Sequence, residues 1–584
     1  MISRPLKLIL PLCLLTLFAF LYLNPMNLAT AVPAMFCAAV ILCIAALAAL
    51  RAIPGHRLLT AAVTGSVAAT GLYLLTCNEW VHVIGDNIAY ITDARRLALG
   101  RGVLDSQYGL GVKTMLIPAV TLFRESVPAL KATIAISSFL FPLFTFLVFR
   151  EFIDANRALL IAMICGAFWI AVEYAAVVTA DMPFPAFSML ALWVILRYIR
   201  QPGISWKWLI VAACAAGWAY HVKSPSVYLV IAATIYLMLR KDVKKPLFLA
   251  GCASVWVLPW AIYLKVNFPE AQGYLGMIGQ IATGVYIPEG EAGSFWQNFF
   301  YYIFTKNPAG YLKNLEYFLL PVEVMGQLPI SARWRPIGWL VLILIGAGFV
   351  LGRRPANKRP LSLLRSLEVH DWYFMGYVAT LFVLPGSPYR YLLAILPFIV
   401  FYIFRAVEVV CNLFPESIPP ATRATRSFGI GRIAVAFQRP SLVRTYPVLL
   451  ACVFLLPSLF VDFSTIRDRR MGPGYHRAWK TYYEASIWMR DNIPPQSRVT
   501  TRKPGLVWFW SRREADGYPR LEDPAEALQA LSKFDFILLE NFPFFREKLK
   551  YVVPALEAYP DHFALSHKTG PPETYVIRII KDGP

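Results

Sequence analysis

The chain has 584 residues, of which 58% are hydrophobic and only 16% are charged. A soluble domain carries about 25% charged residues, so this composition excludes an ordinary soluble globular protein. The net charge of +21 follows from 56 Lys and Arg against 35 Asp and Glu. The placement of those charges accounts for the excess through membrane topology, and we expect no nucleic-acid partner.

Apolar runs of about the 20 residues that a bilayer requires recur along the whole chain. Counting three short ones at 208–220, 225–239 and 372–384, we predict about thirteen transmembrane helices. Short or interrupted spans often line a cavity, and 208–239 could alternatively be a re-entrant hairpin. The other predicted spans are 6–23, 29–50, 58–76, 128–149, 158–178, 182–199, 246–264, 336–352, 391–411 and 446–463.

Lys and Arg cluster in alternate loops, at 51–57, 240–245, 353–359 and 423–444. The positive-inside rule places these loops in the cytoplasm. With an odd number of spans, the N-terminus then lies inside and the C-terminal tail lies outside. We therefore expect a multi-pass protein of the cytoplasmic (inner) membrane whose C-terminal domain is extracytoplasmic, facing the periplasm where there is one.

Three parts lie outside the apolar runs. Residues 77–127 form a first outer loop, with an amphipathic helix predicted at 88–99 along the membrane surface. Residues 265–335 form a second outer loop that could act as a lid. The tail, 464–584, is predicted to be a small α/β domain. The predicted fold class is thus an all-α polytopic membrane domain, 1–463, with a small C-terminal α/β domain.

The tail alternates between helix and strand patterns. Asp523 followed by Pro524 is typical of a helix start, with an N-cap and then proline at the first helical position. Helices are predicted at 475–492, 504–511, 524–532 and 545–559, and strands at 498–501, 534–539, 563–567 and 574–580.

Asp86 is the first candidate catalytic residue. It follows the third span and opens the first outer loop. A carboxylate there can accept a proton from an acceptor hydroxyl. Asp86 also precedes the predicted helix and would suit its N-cap, and the two roles are compatible.

Asp181 is the second candidate carboxylate, in a tight turn between two spans on the same side as Asp86. It would contact a substrate or a metal ion, or it would cap the helix that opens with Met182 and Pro183. The residues alone leave both interpretations open.

Lys223 and Arg390 border spans on that same side. Together they could bind a phosphate, Arg through its planar fork and Lys as a point charge. The alternative is snorkelling to lipid headgroups. Because two carboxylates and two cations border spans of unusual length at one face, we expect them to meet in one site. Lys113 and the pair Arg95 and Arg96 are weaker candidates.

A divalent metal ion is the one cofactor that the pattern leaves open. His82 and His221 could be ligands, but spacing indicates no third one, which favours structural roles. Eight of the nine cysteines lie in or beside apolar segments. Neither a disulfide framework nor a cysteine zinc site is therefore indicated.

Three short motifs carry a resemblance. Residues 85–90 (GDNIAY) resemble an acidic first-loop motif, 179–183 (TADMP) a second acidic turn, and 389–397 (YRYLLAILP) an Arg-Tyr-Leu-Leu-Pro stretch. In this order the chain resembles the GT-C membrane glycosyltransferases, particularly the family 39-like group of protein O-mannosyltransferases and lipid A aminoarabinose transferases. It departs from that group at Asn87, where a second acid is usual, and at 108–113 (YGLGVK), where a Pro-Pro-Leu sequence is expected.

The resemblance implies an inverting transfer of a hexose or pentose from a polyprenyl-phosphate carrier to a hydroxyl of a lipid, glycan or protein acceptor. Asp86 would be the general base, and Lys223 and Arg390 would hold the phosphate. Further substrate contacts would come from Asp181, Tyr389, Tyr90 and Lys113.

Two other functions fit the composition. A transporter or flippase for a lipid-linked sugar or glycan would place its ionisable residues near the middle of the membrane. A non-catalytic membrane scaffold would tolerate the loss of Asp86.

Overall fold

The structure is a computed structural model. It describes residues 57–81, 86–100, 108–123, 126–267, 294–319, 335–352, 364–383, 389–412, 439–471, 477–542 and 547–581. The predicted spans at 6–23 and 29–50 and the predicted ligand His82 lie outside the described residues. The described part divides into two compact units, one containing 57–77 and 108–467, the other 78–100 and the tail from 468 onward.

Helices dominate the first unit. Their bounds are α1 Leu58–Leu75, α3 Leu110–Phe123, α4 Val127–Ser137, α5 Leu140–Phe149, α6 Ala155–Gly166, α7 Trp169–Ala175, α8 Pro183–Ile199, α9 Trp206–Val222, α10 Val227–Leu239, α11 Lys244–Asn267, α12 Phe295–Tyr301, α13 Asn307–Leu319, α14 Arg335–Leu351, α15 Val369–Val383, α16 Leu396–Cys411 and α17 Arg439–Met471, while α2 Asn87–Ala98 belongs to the second unit. Most bounds lie within a few residues of the predicted spans, because an apolar run stops where the sequence becomes polar.

Five described helices are long and apolar enough to cross a bilayer, or six if the bent pair α6 and α7 forms one span. Four further apolar helices are shorter, at Leu110–Phe123, Pro183–Ile199, Ser224–Leu239 and Pro336–Leu351. The chain is therefore a polytopic helical membrane protein. The number of thirteen spans stays a prediction.

The predicted continuous span at 158–178 is broken. Helices α6 and α7 meet at an angle of 51°, and Phe168 between them is extended. The Tyr73 hydroxyl donates a hydrogen bond of 2.6 Å to the Gly166 carbonyl. A side chain that takes a carbonyl from the helical ladder is a known cause of such kinks.

Within the predicted first outer loop, the prediction missed the apolar helix α3. Two glycines allow its start to lie against the end of α9. A Cβ at Gly109 would fall 2.2 Å from the His221 carbonyl oxygen, and one at Gly111 would fall 2.7 Å from the Val222 nitrogen. Only glycine permits this approach of two backbones.

The second unit contains a five-stranded sheet with the order β2-β1-β3-β5-β4. Strands β1 (Arg498–Thr501), β2 (Glu514–Asp516) and β3 (Phe536–Leu539) are parallel, and β5 (Tyr575–Ile579) pairs antiparallel with β3 and with β4 (Phe563–Lys568). The helices around it are α18 Arg477–Asn492, α19 Pro504–Ser511, α20 Pro524–Leu531, α21 Glu547–Tyr551 and α22 Val553–Ala558. The predicted α/β fold of the tail is confirmed.

The predicted helix start at Asp523 is also confirmed, since its carboxylate accepts hydrogen bonds from the backbone nitrogens of Ala525 and Glu526 at 3.0 and 2.9 Å. Two details of the tail differ from the prediction. Strand β2 was missed, because three residues at a sheet edge carry little periodicity. The predicted helix at 545–559 is divided into α21 and α22, with Pro554 in the first turn of the second. Proline lacks the N–H that would continue the first helix.

The predicted amphipathic helix at 88–99 is α2. It packs against α19 of the tail, where Ile88 meets Gly505, and its position along the membrane surface stays a prediction. Ile88, Ile91 and Ala94 are buried. Its apolar face is thus covered by protein.

Candidate functional site

Asp181 lies in the turn that joins α7 to α8. Its carboxylate is 7% exposed and accepts a hydrogen bond from the Thr179 hydroxyl at 3.2 Å. Met182, rather than Asp181, occupies the N-cap of α8. The N-cap interpretation of Asp181 is therefore wrong, and its buried charge needs another explanation.

Two cations provide that explanation. Lys223 Nζ donates to Asp181 Oδ1 at 2.9 Å, and Arg390 Nη1 lies 3.5 Å from Oδ2. Lys223 follows the end of α9, where Pro225 stops the helix and the backbone of Lys223 is extended. Arg390 lies in the 3-10 helix Tyr389–Ile395 before α16. The structure thus brings together three of the four charges that the sequence predicted to converge.

The cluster of Asp181, Lys223 and Arg390 has a net charge of +1, two cations against one carboxylate. The Lys223 and Arg390 side chains are 21% and 23% exposed, so both remain accessible while the carboxylate is covered. Arg390 Nε is buried and has no hydrogen-bond partner among the described residues. This arrangement fits an incoming anion better than a divalent metal ion.

Burial by itself raises the pKa of the Asp181 carboxyl. The charges of Lys223 and Arg390, with hydrogen bonds from Lys223 and Thr179, outweigh burial and hold that pKa below its usual value. Asp181 is therefore ionised at neutral pH, which keeps both cations in place.

Aromatic rings surround the cations. Lys223 Nζ lies 4.8 Å from the centre of the Tyr391 ring and 5.8 Å from that of Phe184. Arg390 Cζ lies 5.4 Å from the Tyr391 ring. Cation–π contacts of this kind hold a charged side chain without neutralising it.

Tyr389, a predicted substrate contact, is already engaged. Its hydroxyl donates to both carboxylate oxygens of Glu173, at 3.0 and 3.2 Å, and its ring lies 5.5 Å from that of Trp169. Glu173 was missed by the sequence analysis. Its position inside a predicted span could have identified it, since a carboxylate in a span is costly and needs a partner.

Lys113 lies in the first turns of α3 and is fully buried. Its Nζ is 5.6 Å from the centre of the Trp260 ring. His221, at the end of α9, makes a 3.1 Å hydrogen bond through Nε2 with the Trp256 carbonyl, which agrees with a structural role. Within the described ranges, no three His, Cys, Asp or Glu side chains come together as metal ligands.

Asp86 and Tyr90 belong to the second unit, on α2. Asp86 occupies the N-cap position, but its side chain makes no capping hydrogen bond within the described part of the chain. The predicted N-cap position is therefore confirmed, and the capping hydrogen bond is not seen within the described ranges. Tyr90 is buried.

Both the sequence and the fold of this chain resemble those of known proteins. Residues 115–263, which include Asp181 and Lys223, match the sequence model of a family described as dolichyl-phosphate-mannose-protein mannosyltransferase. Among curated proteins, none matches the sequence.

The structural comparison covers most of the chain. The oligosaccharyltransferase of Archaeoglobus fulgidus, tethered to an acceptor peptide, superposes with a TM-score of 0.54 at 12% identity, over 89% of this chain and 74% of that one. ArnT from Cupriavidus metallidurans, bound to undecaprenyl phosphate, superposes with a TM-score of 0.51 at 12% identity, over 88% and 97%. These similarities agree with the resemblance that the three sequence motifs indicate. At this identity the two structures establish the shared fold, and the roles of individual residues require a separate argument.

Proposed function

We propose that this protein transfers a monosaccharide, a hexose or a pentose, from a polyprenyl-phosphate carrier to an acceptor hydroxyl at the outer face of the cytoplasmic membrane. The observation that carries the proposal is the cluster of Asp181, Lys223 and Arg390, with its accessible net positive charge. A carrier phosphate is the anion that a GT-C fold would present to it, and ArnT was crystallised with such a lipid.

In this proposal, Lys223 and Arg390 bind the phosphate that links the sugar to the lipid. Arg390 offers the planar fork and Lys223 a point charge, the usual pairing for a phosphate. As the bond from the sugar to the phosphate oxygen breaks, negative charge collects on the departing polyprenyl phosphate. Cations already oriented toward that charge lower the barrier.

Asp86 acts as the general base. It takes the proton from the acceptor hydroxyl as the hydroxyl oxygen attacks the anomeric carbon. On the opposite side of that carbon, its bond to the phosphate oxygen breaks. The products are an inverted glycoside, polyprenyl phosphate and a protonated Asp86. The position of Asp86 at the N-cap of α2, with no capping hydrogen bond from its side chain among the described residues, supports this role.

The remaining predicted contacts take supporting roles. Asp181 orients both cations. Tyr389, tied to Glu173, fixes the backbone next to Arg390. Lys113 and Tyr90 are proposed as further substrate contacts. The second outer loop at 265–335, of which 268–293 and 320–334 lie outside the described residues, is proposed as a lid over the donor. The acceptor is a lipid, a glycan or a protein, and the N-terminus lies inside with the tail outside.

The test is sugar transfer by membranes that contain the full-length protein, with radiolabelled sugar–polyprenyl phosphate as donor. We expect Asp86→Asn to lower transfer by about a hundredfold to ten-thousandfold, the usual contribution of a general base, while the protein remains folded. Unchanged transfer would remove Asp86 from the mechanism. Movement of the lipid-linked sugar across the bilayer without transfer to an acceptor would support a transporter or flippase instead.

A further inference from the structure

The helix that carries Asp86 is built into the C-terminal domain. Asp86 occupies the N-cap of α2, and Ile88 in the first turn lies against Gly505 of α19. A Cβ placed at Gly505 would lie 2.9 Å from Ile88 Cγ2 and 3.3 Å from Ile88 Cβ. A larger residue at 505 would therefore push against Ile88 in the first turn of α2.

Aromatic contacts hold this segment on both sides of Asp86. Before Asp86, the Trp80 ring packs edge-on against Tyr483 with centroids 5.3 Å apart. Near the end of α2, Arg95 Cζ lies 5.5 Å from the centre of the Trp508 ring. Contacts at both ends restrain the direction of the helix, which a single contact would leave free to pivot.

Helix α19 is itself a rigid support. Its Leu506, Val507 and Trp510 are buried in the domain. Just beyond its end, Arg513 donates to the carbonyls of Arg490 and Ile493, at 2.7 and 2.6 Å. These bonds tie α19 to the end of α18, so a displacement of α2 cannot be absorbed by an equal movement of α19.

We propose that the C-terminal domain positions Asp86, with the contact between Gly505 and Ile88 setting the placement of the carboxylate. This inference rests on the proposed role of Asp86 as general base. Misplacing a catalytic group by about 1 Å can cost about a hundredfold in rate. The domain would thus act on the rate of transfer, and not on the affinity for the donor.

The test uses Gly505→Val in the full-length protein. We expect kcat for sugar transfer to fall about tenfold or more, with KM for the donor unchanged. Replacing Ile88 with Ala removes Cγ2, the atom nearest to the new Cβ, and keeps only the Ile88 Cβ position at 3.3 Å. Gly505→Val with Ile88→Ala should therefore recover most of the rate. The matched control is Gly517→Val in the same domain, where a Cβ meets nothing within 4 Å. That variant should transfer at the normal rate.

A cycle with Asp86→Asn separates this inference from the proposed function. If Gly505 acts through Asp86, Gly505→Val adds no further loss once Asp86 has been replaced. Equal rates for Gly505→Val and Gly517→Val would overturn the positioning role while leaving the general base intact. If Gly505→Val causes a folding defect or a rate loss that Ile88→Ala does not repair, that result would overturn the positioning role as well. Full transfer by Asp86→Asn alone would contradict the proposed mechanism itself.

Discussion

Lys223 and Asp181, 42 positions apart in the chain, form an ion pair of 2.9 Å between the residue that follows α9 and the turn that precedes α8. Because the pKa of the Asp181 carboxyl lies below its usual value, the stabilisation from this pair is present at neutral pH. It is lost only as the pH falls through that lowered pKa. The pair therefore persists under physiological conditions and keeps Lys223 next to Asp181.

The first prediction concerns Asp181→Asn. Removing the carboxylate leaves two partly buried cations facing each other, a change that costs about 3–5 kcal/mol where a buried pair is broken. We expect a lower unfolding temperature in detergent and slower transfer. The control is Asp154→Asn, because Asp154 is an exposed N-cap and asparagine caps equally well. Similar behaviour of the two variants would contradict the importance of the cluster.

The second prediction concerns Arg390. If Arg390 holds the donor phosphate, Arg390→Ala should raise KM for the donor by about tenfold to a hundredfold, because the variant loses one charge-assisted hydrogen bond to the phosphate. Arg390→Lys should recover only part of the affinity, because lysine lacks the planar fork. Lys480→Ala, which removes an exposed lysine of the tail, serves as the control. An unchanged KM for both Arg390 variants would place the phosphate elsewhere.

The third prediction concerns Tyr389→Phe. Its hydroxyl is bound to Glu173, so we expect a positioning effect that reaches the donor through Arg390. Transfer should fall by a few-fold, and Glu173→Gln should cause a similar loss, since either change weakens the same hydrogen bond by about 1 kcal/mol. Steady-state kinetics on both variants and on the double variant would measure the coupling. Additive losses would indicate separate roles and a direct substrate contact by Tyr389.

The fourth prediction is a pH dependence in the tail. Glu540 is 1% exposed and accepts a hydrogen bond from the Tyr518 hydroxyl. Burial raises the pKa of the Glu540 carboxyl. A raised carboxyl pKa in the folded state means that this residue favours folding at low pH and that the benefit disappears as the pH rises through the raised value.

Glu540→Gln should therefore stabilise the tail at neutral pH relative to the native protein, and the difference should vanish in mild acid. Limited proteolysis of the full-length protein across a pH series measures this. Glu514→Gln, at an exposed position of the edge strand β2, is the control. A stability difference that grows toward acid would show that the sign is wrong.

The fifth prediction tests the contact between α2 and α19 by chemistry. The Cβ separation of 3.3 Å at Ile88 and Gly505 is close to the range of about 3.5–4.5 Å found in disulfides. Cysteines introduced at both positions should form a disulfide, detected as a linked peptide by mass spectrometry. A pair at Ile88 and Gly517 should not. If both pairs react equally, α2 is not held in the described position.

The sequence by itself determined the class of protein and the location of most helices. The cost of leaving a backbone unpaired in lipid is so high that a long apolar run has few alternatives to a helix. The helix start at Asp523 could also be predicted from the sequence, because its capping depends only on residues within one turn. Asp181, Lys223 and Arg390 could also be singled out, because each charge borders a span and so requires a partner.

Only the tertiary structure decided which residues are the partners of these charges. Whether Asp181 capped a helix or met a cation depended on the break before α7 and on the turn after α9, which join segments far apart in the chain. Glu173 and Tyr389 likewise lie 216 positions apart. Most unexpected was the attachment of α2 to the C-terminal domain, because its amphipathic pattern predicts a covered face without saying what covers it. Local energies select an element, whereas long-range packing selects its partner.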